Sequence, residues 1–216
     1  MAETRSNRRV YRGISAQERT DARRQQFLDA GKTVFGTLGI QAANVKDICA
    51  AAGLTERYYY EAFGSLSKLF EAVYLQAVDR LRQVLDEAAS RLPQESSAQL
   101  RSMIRSYFEL LKSDRHLARI LILEIYGAAP AIKNLYEYSV RQFAARIEKL
   151  IATPDAELGQ RLNSKLVAVA LVGAASGLAM HWRLGGYKEP VSVMTDNCFA
   201  IFAAVLRTSD WSPAIL

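Results

Sequence analysis

The sequence has little cysteine, histidine, glycine and proline, and each shortage excludes a class of protein. Two cysteines and two histidines in 216 residues are too few for a disulfide framework or a metal-ligand cluster, so we expect no metal and no cofactor. Cys49 and Cys198 are expected to be small core residues in a reducing compartment. The 12 glycines and 5 prolines fall between long periodic stretches. Because alternating valine, isoleucine and threonine are also almost absent, the chain is predicted to be all-α.

Long uncharged apolar runs are missing too. The longest, Leu166 to Met180, has 15 residues, whereas a membrane-spanning helix needs about 20. The N-terminal segment has no apolar run behind its charges, which argues against a secretory signal. We therefore expect a globular cytoplasmic protein that does not bind a membrane.

The motifs of common enzyme classes are absent as well. The sequence contains no phosphate-binding loop, no dinucleotide glycine pattern, no H-E-x-x-H and no G-x-S-x-G. His116 and His181 fall in separate predicted helices, with no obvious nucleophile beside either of them. We therefore expect that the protein is not an enzyme.

The positive charge is concentrated at the N-terminus. The chain carries a net charge of +6, and residues 1–24 hold seven arginines against three acidic residues, a net +4. An arginine-rich segment beside a folded unit is typical of proteins that bind nucleic-acid phosphate, although a solvated tail would have the same composition. We interpret residues 1–14 as a basic flexible arm.

Capping residues and breakers divide the rest of the chain into about nine helices. Ser15 and Glu18 form the Ser-x-x-Glu pattern that begins a helix, and Asn44 and Thr55 can cap the next two. We predict a three-helix unit over residues 15–64 and a larger helical bundle over residues 65–216. The predicted later helices lie near 65–92, 97–112, 115–126, 130–151, 156–184 and 190–208.

Residues 45–63, VKDICAAAGLTERYYYEAF, have the spacing of a helix-turn-helix. Cys49 is small enough for two helices to cross closely, and Gly53 can adopt the positive φ that the turn requires. Tyr59 and Phe63 are expected to face inward, whereas three consecutive tyrosines cannot all face one core. An ordinary helical hairpin would have similar spacing.

Residues 24–74 resemble the DNA-binding domain of the TetR family of bacterial transcriptional regulators. The matching positions are Phe35, Gly39–Ile40, Ala43–Asn44, Val45–Cys49, Ala52–Thr55, Tyr59–Phe63 and Leu69–Val73. The chain departs from the family pattern at Asn44, which replaces a threonine but keeps a capping oxygen, at Ala62, where a histidine is usual, and at Leu66, where a lysine is usual. In the family, the usual histidine and lysine contact phosphate. Lys68 and the N-terminal arginines are our candidates to make these contacts instead.

The resemblance implies a homodimeric regulator that binds a double-stranded DNA operator and is bound to the nucleoid when it holds DNA. The third helix would enter the major groove, and neighbouring side chains would contact phosphate. The expected DNA-binding residues are Asn44, Lys46, Thr55, Glu56, Arg57, Tyr58, Tyr60 and Lys68. We expect a repressor that is released from a palindromic operator by a small apolar or aromatic ligand. A ligand-independent regulator, an activator and a helical adaptor without specific DNA binding stay open as alternatives.

The C-terminal bundle is expected to supply the dimer interface and the ligand pocket. Gly173 and Gly177 are spaced so that another helix can approach closely, and the resemblance implies that the last two helices pair across a two-fold axis. The candidate core or interface residues are Leu171, Ala174, Leu178, Met180, Trp182, Phe199, Phe202 and Val205. The expected pocket residues are Met103, Tyr107, Ile122, Tyr126 and Phe143. Tyr107, His116 and Glu124 are the expected polar groups that would orient a ligand.

Overall fold

The part of the chain that the structure describes is entirely helical outside its turns. The structure is a computed structural model that describes residues 15–92, 97–124, 130–151 and 163–206. Within these ranges it has nine helices and no strand: α1 Ala16–Leu38, α2 Val45–Ala52, α3 Glu56–Ala62, α4 Leu66–Ser90, α5 Ser97–Ser113, α6 Arg115–Ile122, α7 Pro130–Ile151, α8 Ser164–Leu184 and α9 Val191–Leu206. The all-α prediction is confirmed. The predicted arm and Tyr126 lie outside the described residues.

Local capping explains where the first three helices begin and end. The Ser15 hydroxyl accepts from the Glu18 N–H, and the Glu18 carboxylate accepts from the Ser15 N–H, which closes a capping box. The Asn44 side chain accepts from the Asp47 N–H at 3.0 Å and starts α2. Gly53 ends α2 at φ 66°, the left-handed conformation expected for the turn. Thr55 precedes α3 without a capping hydrogen bond from its side chain.

Helix α4 connects the N-terminal unit to the bundle. Its first half buries Leu69, Phe70, Val73 and Tyr74, and Phe70 meets Phe35 of α1 edge-on at 5.2 Å between ring centroids. Further along, α4 packs against α5 and α7, while α8 packs on α7 and α9 packs on α5. The buried side chains of the two halves form one continuous apolar core. A change in the position of α4 would therefore alter the packing of both halves.

Two helix boundaries differ from those expected from the sequence. Helix α6 ends at Ile122 instead of residue 126, and the chain turns so that Glu124 reaches back to α1. Helix α8 begins at Ser164, capped by Asn163, whose side chain accepts from the Leu166 N–H; the expected start near 156 lies outside the described residues.

Among the described helices, α8 is long and apolar enough to cross a membrane by length and composition. The uncharged run within α8, Leu166 to Met180, is shorter than the helix. Only 17% of the apolar stretch of α8 is buried inside the chain. One face of α8, with Leu166, Val169 and Leu184, is therefore exposed in the single chain.

Candidate nucleic-acid interface and apolar cavity

The packing of α3 decides which of its tyrosines face solvent. Tyr59 is 0% exposed and meets the Phe27 ring edge-on at 5.5 Å, and Phe63 is buried beside it. Because Tyr59 points inward, its neighbours point outward: Tyr58 is 37% exposed and Tyr60 is 53% exposed. The inward placement of Tyr59 and Phe63 agrees with the expectation from the sequence.

All of the expected DNA-binding residues are exposed, at or near the N-terminal ends of three helices. Asn44 and Lys46 lie at the start of α2, the stretch from Thr55 to Tyr60 begins α3, and Lys68 lies in the first turn of α4. Backbone N–H groups and the helix dipole at such ends attract phosphate. This arrangement is suited to a polyanion.

Arg57 forms an exposed ion pair within α3. Its Nε donates to Glu61 Oε1 at 2.9 Å, one helical turn away, and both side chains are exposed. The hydrogen bond and the charge of Glu61 raise the pKa of the Arg57 guanidinium, which is charged in any case. An exposed pair of this kind adds little stability, so the guanidinium can exchange Glu61 for a base edge or a phosphate.

The structure adds two arginines that we did not predict as part of this surface. The guanidinium carbon of Arg23 lies 4.6 Å from the Tyr58 ring centroid, and that of Arg24 lies 4.5 Å from the Phe63 ring centroid. Both arginines belong to the basic segment noted in the sequence, but only the packing of α1 on α3 shows that they flank α3. They increase the positive charge beside its exposed face.

Two of the departures from the family pattern, Ala62 and Leu66, are apolar and packed. Ala62 and Leu66 are half-buried against the core, so neither offers a polar group to phosphate. Lys68 is exposed two residues beyond Leu66.

A second feature is an apolar cavity lined by residues of α4 to α9. About 950 Å³ of empty space lies between its lining atoms, counting the opening to solvent, and about 140 Å³ of it is open to the centre of a water molecule. An apolar cavity of about 150 Å³ can hold a benzene-sized molecule. The predicted pocket residues Met103, Tyr107, Ile122 and Phe143 all line this cavity.

Several lining residues were not predicted, because they come from helices that we did not assign to a pocket. Tyr74 and Leu81 of α4, Val172 of α8, and Cys198 and Phe202 of α9 complete the wall. Burial raises the pKa of the Cys198 thiol to about 12, so the thiol is neutral at physiological pH. Arg146 of α7 is the charged side chain in the wall.

His116 and Glu124 do not line the cavity, contrary to expectation; they join α6 to α1. His116 Nε2 lies 3.2 Å from the Thr37 hydroxyl oxygen. Glu124 accepts from the Ile40 N–H at 2.7 Å and from Arg119 Nε at 2.7 Å.

Arg119 completes this junction by donating to the last carbonyls of α1. Its Nη1 donates to the Thr37 carbonyl at 2.6 Å and its Nη2 to the Leu38 carbonyl at 3.2 Å. Leu121 and Ile122, next along α6, line the cavity. One short helix therefore touches both the cavity and the base of the helix-turn-helix unit.

No protein-family model matches this sequence, and no curated protein matches it. Among solved structures, it is similar to a TetR-like transcriptional regulator from Rhodococcus sp. RHA1, with a TM-score of 0.69, 22% identity, and coverage of 86% of this chain and 97% of that one. It is also similar to a TetR-family transcriptional regulator from Streptomyces coelicolor, with a TM-score of 0.68, 21% identity and coverage of 86% and 80%. The chain has the TetR-family fold. The fold implied by residues 24–74 is thus confirmed.

A third structure with this fold contains a ligand. The transcriptional regulator FadR from Bacillus subtilis, solved in complex with stearoyl-CoA, matches with a TM-score of 0.72 and 16% identity, covering 84% of this chain and 98% of that one. At such identities the similarity to TetR-fold proteins establishes the architecture and not the activity.

Proposed function

We propose that the protein is a DNA-binding transcriptional regulator that acts as a homodimer and represses from a palindromic operator until a small apolar or aromatic ligand releases it. The observation that carries this proposal is the orientation of α3. One tyrosine anchors the helix in the core, while the charged and aromatic side chains around it remain exposed next to three helix N-termini. Residues 15–64 would bind DNA, residues 65–216 would bind ligand and partner, and residues 1–14 would contact phosphate.

Each exposed side chain has a role that its chemistry supports. Arg57 is suited to guanine O6 and N7, Glu56 to a cytosine amino group, and Tyr58 to a thymine methyl. Thr55 and Tyr60 flank these positions at the start of α3. Asn44, Lys46 and Lys68 would bind backbone phosphates and fix the position of α3 in the groove.

The uncovered face of α8 and α9 supports the homodimer. Its exposed apolar side chains include Leu166, Val169, Leu184, Val193, Ile201 and Val205. A Cβ added at Gly173 or Gly177 would meet nothing within 4 Å in the single chain, which leaves room for another backbone. A second copy would cover this face and set two α3 helices about 34 Å apart, one turn of DNA. This pairing is an alternative to burying α8 in a membrane, and it supports a cytoplasmic location.

The cavity and two helices supply a route from ligand to DNA. Side chains of α4 and α6 line the cavity, and the same helices contact the helix-turn-helix unit through Phe70 and Arg119. A ligand that binds one arrangement of α4 and α6 better than another would change the spacing of the two α3 helices. The stearoyl-CoA bound by the Bacillus subtilis protein supports an apolar ligand for a cavity in this fold.

The decisive experiment is selection of bound duplexes from a random DNA pool. We expect wild type to select a palindrome, and Arg57→Ala and Tyr58→Ala each to lose preference at one position of each half-site. Loss of a bidentate base contact costs about 1–3 kcal/mol of discrimination. Arg105→Ala is the matched control, because Arg105 forms the same exposed ion pair one turn apart, with Glu109, on α5. It should select the wild-type sequence.

Two results would contradict the proposal. If wild type selects no sequence, the adaptor alternative gains support. If both α3 variants select the wild-type sequence, α3 does not read bases. A wild type that selects a palindrome but is not released by any apolar compound would be a ligand-independent regulator.

A further inference from the structure

One charged side chain lines the otherwise mostly apolar cavity, and part of it has no partner. Arg146 Nη1 is buried and makes no hydrogen bond. Arg146 Nη2 donates to Asp86 Oδ2 of α4 at 2.9 Å and lies 2.7 Å from Asp86 Oδ1. The guanidinium is therefore satisfied on the side of α4 and unsatisfied at Nη1.

A buried N–H of a guanidinium without an acceptor is costly, and such groups in native proteins are nearly always paired with protein, water or ligand. The hydroxyl of Ser139, which also lines the cavity, donates to the Leu135 carbonyl. The rest of the wall is mostly aromatic and aliphatic. An acceptor for Nη1 is therefore most readily supplied by a molecule in the cavity.

We propose that the ligand is an amphiphile with an apolar chain and an anionic head, a carboxylate or a phosphate ester, whose oxygen accepts from Arg146 Nη1. This inference rests on the proposed ligand-binding role of the cavity. The Asp86 side chain is 53% exposed and that of Arg146 is 33% exposed, so water partly screens the pair and the guanidinium retains attraction for a second anion. A charge-assisted hydrogen bond is also stronger than one to a neutral head.

The position of Arg146 gives the anionic head a regulatory consequence. Asp86 lies in the second half of α4, and the first residue of α4 follows α3 closely along the chain. The Arg146–Asp86 ion pair therefore joins α7 to the helix that connects the two halves of the protein. An anion at Nη1 shares the positive charge of the guanidinium with Asp86 and so weakens the attraction between Nη2 and Asp86. Binding of the head group therefore loosens α4 from α7.

The test compares three ligands of one chain length, decanoate, decyl phosphate and decanol, by isothermal titration to the full chain. Wild type should bind at least one of the two anions about tenfold more tightly than decanol, which is about 1.4 kcal/mol. Arg146→Met should remove this preference and leave the affinity for decanol unchanged. Arg141→Met is the matched control on α7, because Arg141 is exposed and paired with Glu137, and it should retain the preference.

A second variant addresses the charge that Arg146 shares with Asp86. Asp86→Asn leaves Arg146 charged and removes its anionic partner, so it should bind the preferred anion more tightly than wild type. The stronger of decanoate and decyl phosphate identifies the head as a carboxylate or a phosphate ester.

Equal affinity for decanol and both anions, or an anion preference that survives Arg146→Met, would overturn the inference. Absence of binding by all three compounds would overturn it as well. These results are independent of the DNA selection experiment, which uses no ligand. A palindrome selected by wild type would leave the DNA-binding part of the proposed function intact even if the head-group inference fails.

Discussion

Tyr59 combines a favourable ring with an unfavourable hydroxyl. The ring packs edge-on against Phe27 and next to Phe63, which fixes the rotation of α3. The Tyr59 hydroxyl is buried and has no hydrogen-bond partner within the part of the chain that the structure describes. Burial, with smaller contributions from Cys49 and Tyr60, raises the pKa of Tyr59 to about 12. The packing of the Tyr59 ring, and not a hydrogen bond from its hydroxyl, therefore orients Tyr58 and Tyr60 towards solvent.

We expect Tyr59→Phe to raise the free energy of unfolding by about 1 kcal/mol, because it removes an unsatisfied buried hydroxyl and keeps the ring. Urea denaturation measures this. Tyr60→Phe is the control, since Tyr60 is exposed and the change should be near zero. A Tyr59→Phe protein less stable than wild type would show that the hydroxyl has a partner.

Tyr59→Phe should also change how the free energy of unfolding depends on alkaline pH. Unfolded Tyr59 loses its proton near pH 10 and folded Tyr59 near 12, so its contribution to stability is complete below pH 10 and is lost as the pH rises towards 12. Tyr59→Phe should therefore show a smaller fall in unfolding free energy across this interval. An equal fall in both proteins would contradict the raised pKa.

At the scale of elements, the contact between α1 and α6 depends on a glycine in the last turn of α1. A Cβ at Gly36 would lie 2.7 Å from the His116 Cα, closer than packing allows. Gly36 therefore lets α6 approach α1, and this approach brings Arg119 to the carbonyls that end α1. The hydrogen bonds of Arg119 and the close contact between Gly36 and His116 belong to one interface between α1 and α6.

Gly36→Ala should lower the free energy of unfolding by about 1–3 kcal/mol through overpacking, although alanine by itself favours a helix by about 1 kcal/mol. Chemical denaturation tests this. Gln26→Ala, an exposed change on the same helix, should alter stability by no more than about 0.5 kcal/mol. A stabilised Gly36→Ala variant would mean that α6 can move away from α1 at no cost.

At the scale of the whole molecule, the face of α8 and α9 exposes large apolar side chains within the described residues. Gly177 lies on α8 with open space above it. A substitution there tests assembly separately from folding, because a Cβ added at Gly177 meets no atom within 4 Å among the described residues.

Gly177→Leu should leave the helical content unchanged but shift the protein from dimer to monomer, as measured by light scattering after size-exclusion chromatography. Operator affinity should fall with it, because one half-site alone binds weakly. Gln83→Leu adds the same side chain at an exposed position of α4 and should remain dimeric. If Gly177→Leu stays a dimer with wild-type affinity, the two copies meet elsewhere.

The sequence alone determined the features that depend on neighbours along the chain. Asn44, Gly53 and the Ser15–Glu18 pair fixed the helix ends, because capping and positive φ involve only a few adjacent residues. Helical periodicity likewise separated inward Tyr59 from its exposed neighbours.

Only the tertiary structure decided what lies opposite each face. Periodicity marks a side chain as inward but does not say which helix it meets. His116 and Glu124 were expected in the cavity, but His116 contacts Thr37 of α1 and Glu124 accepts from the Ile40 N–H just after α1. Arg146 was not expected in the cavity wall for the same reason. Its ion-pair partner, Asp86, lies 60 residues earlier, and the apolar wall around it comes from six helices. Contacts between residues distant in sequence depend on how the helices pack, and a local pattern carries no information about that.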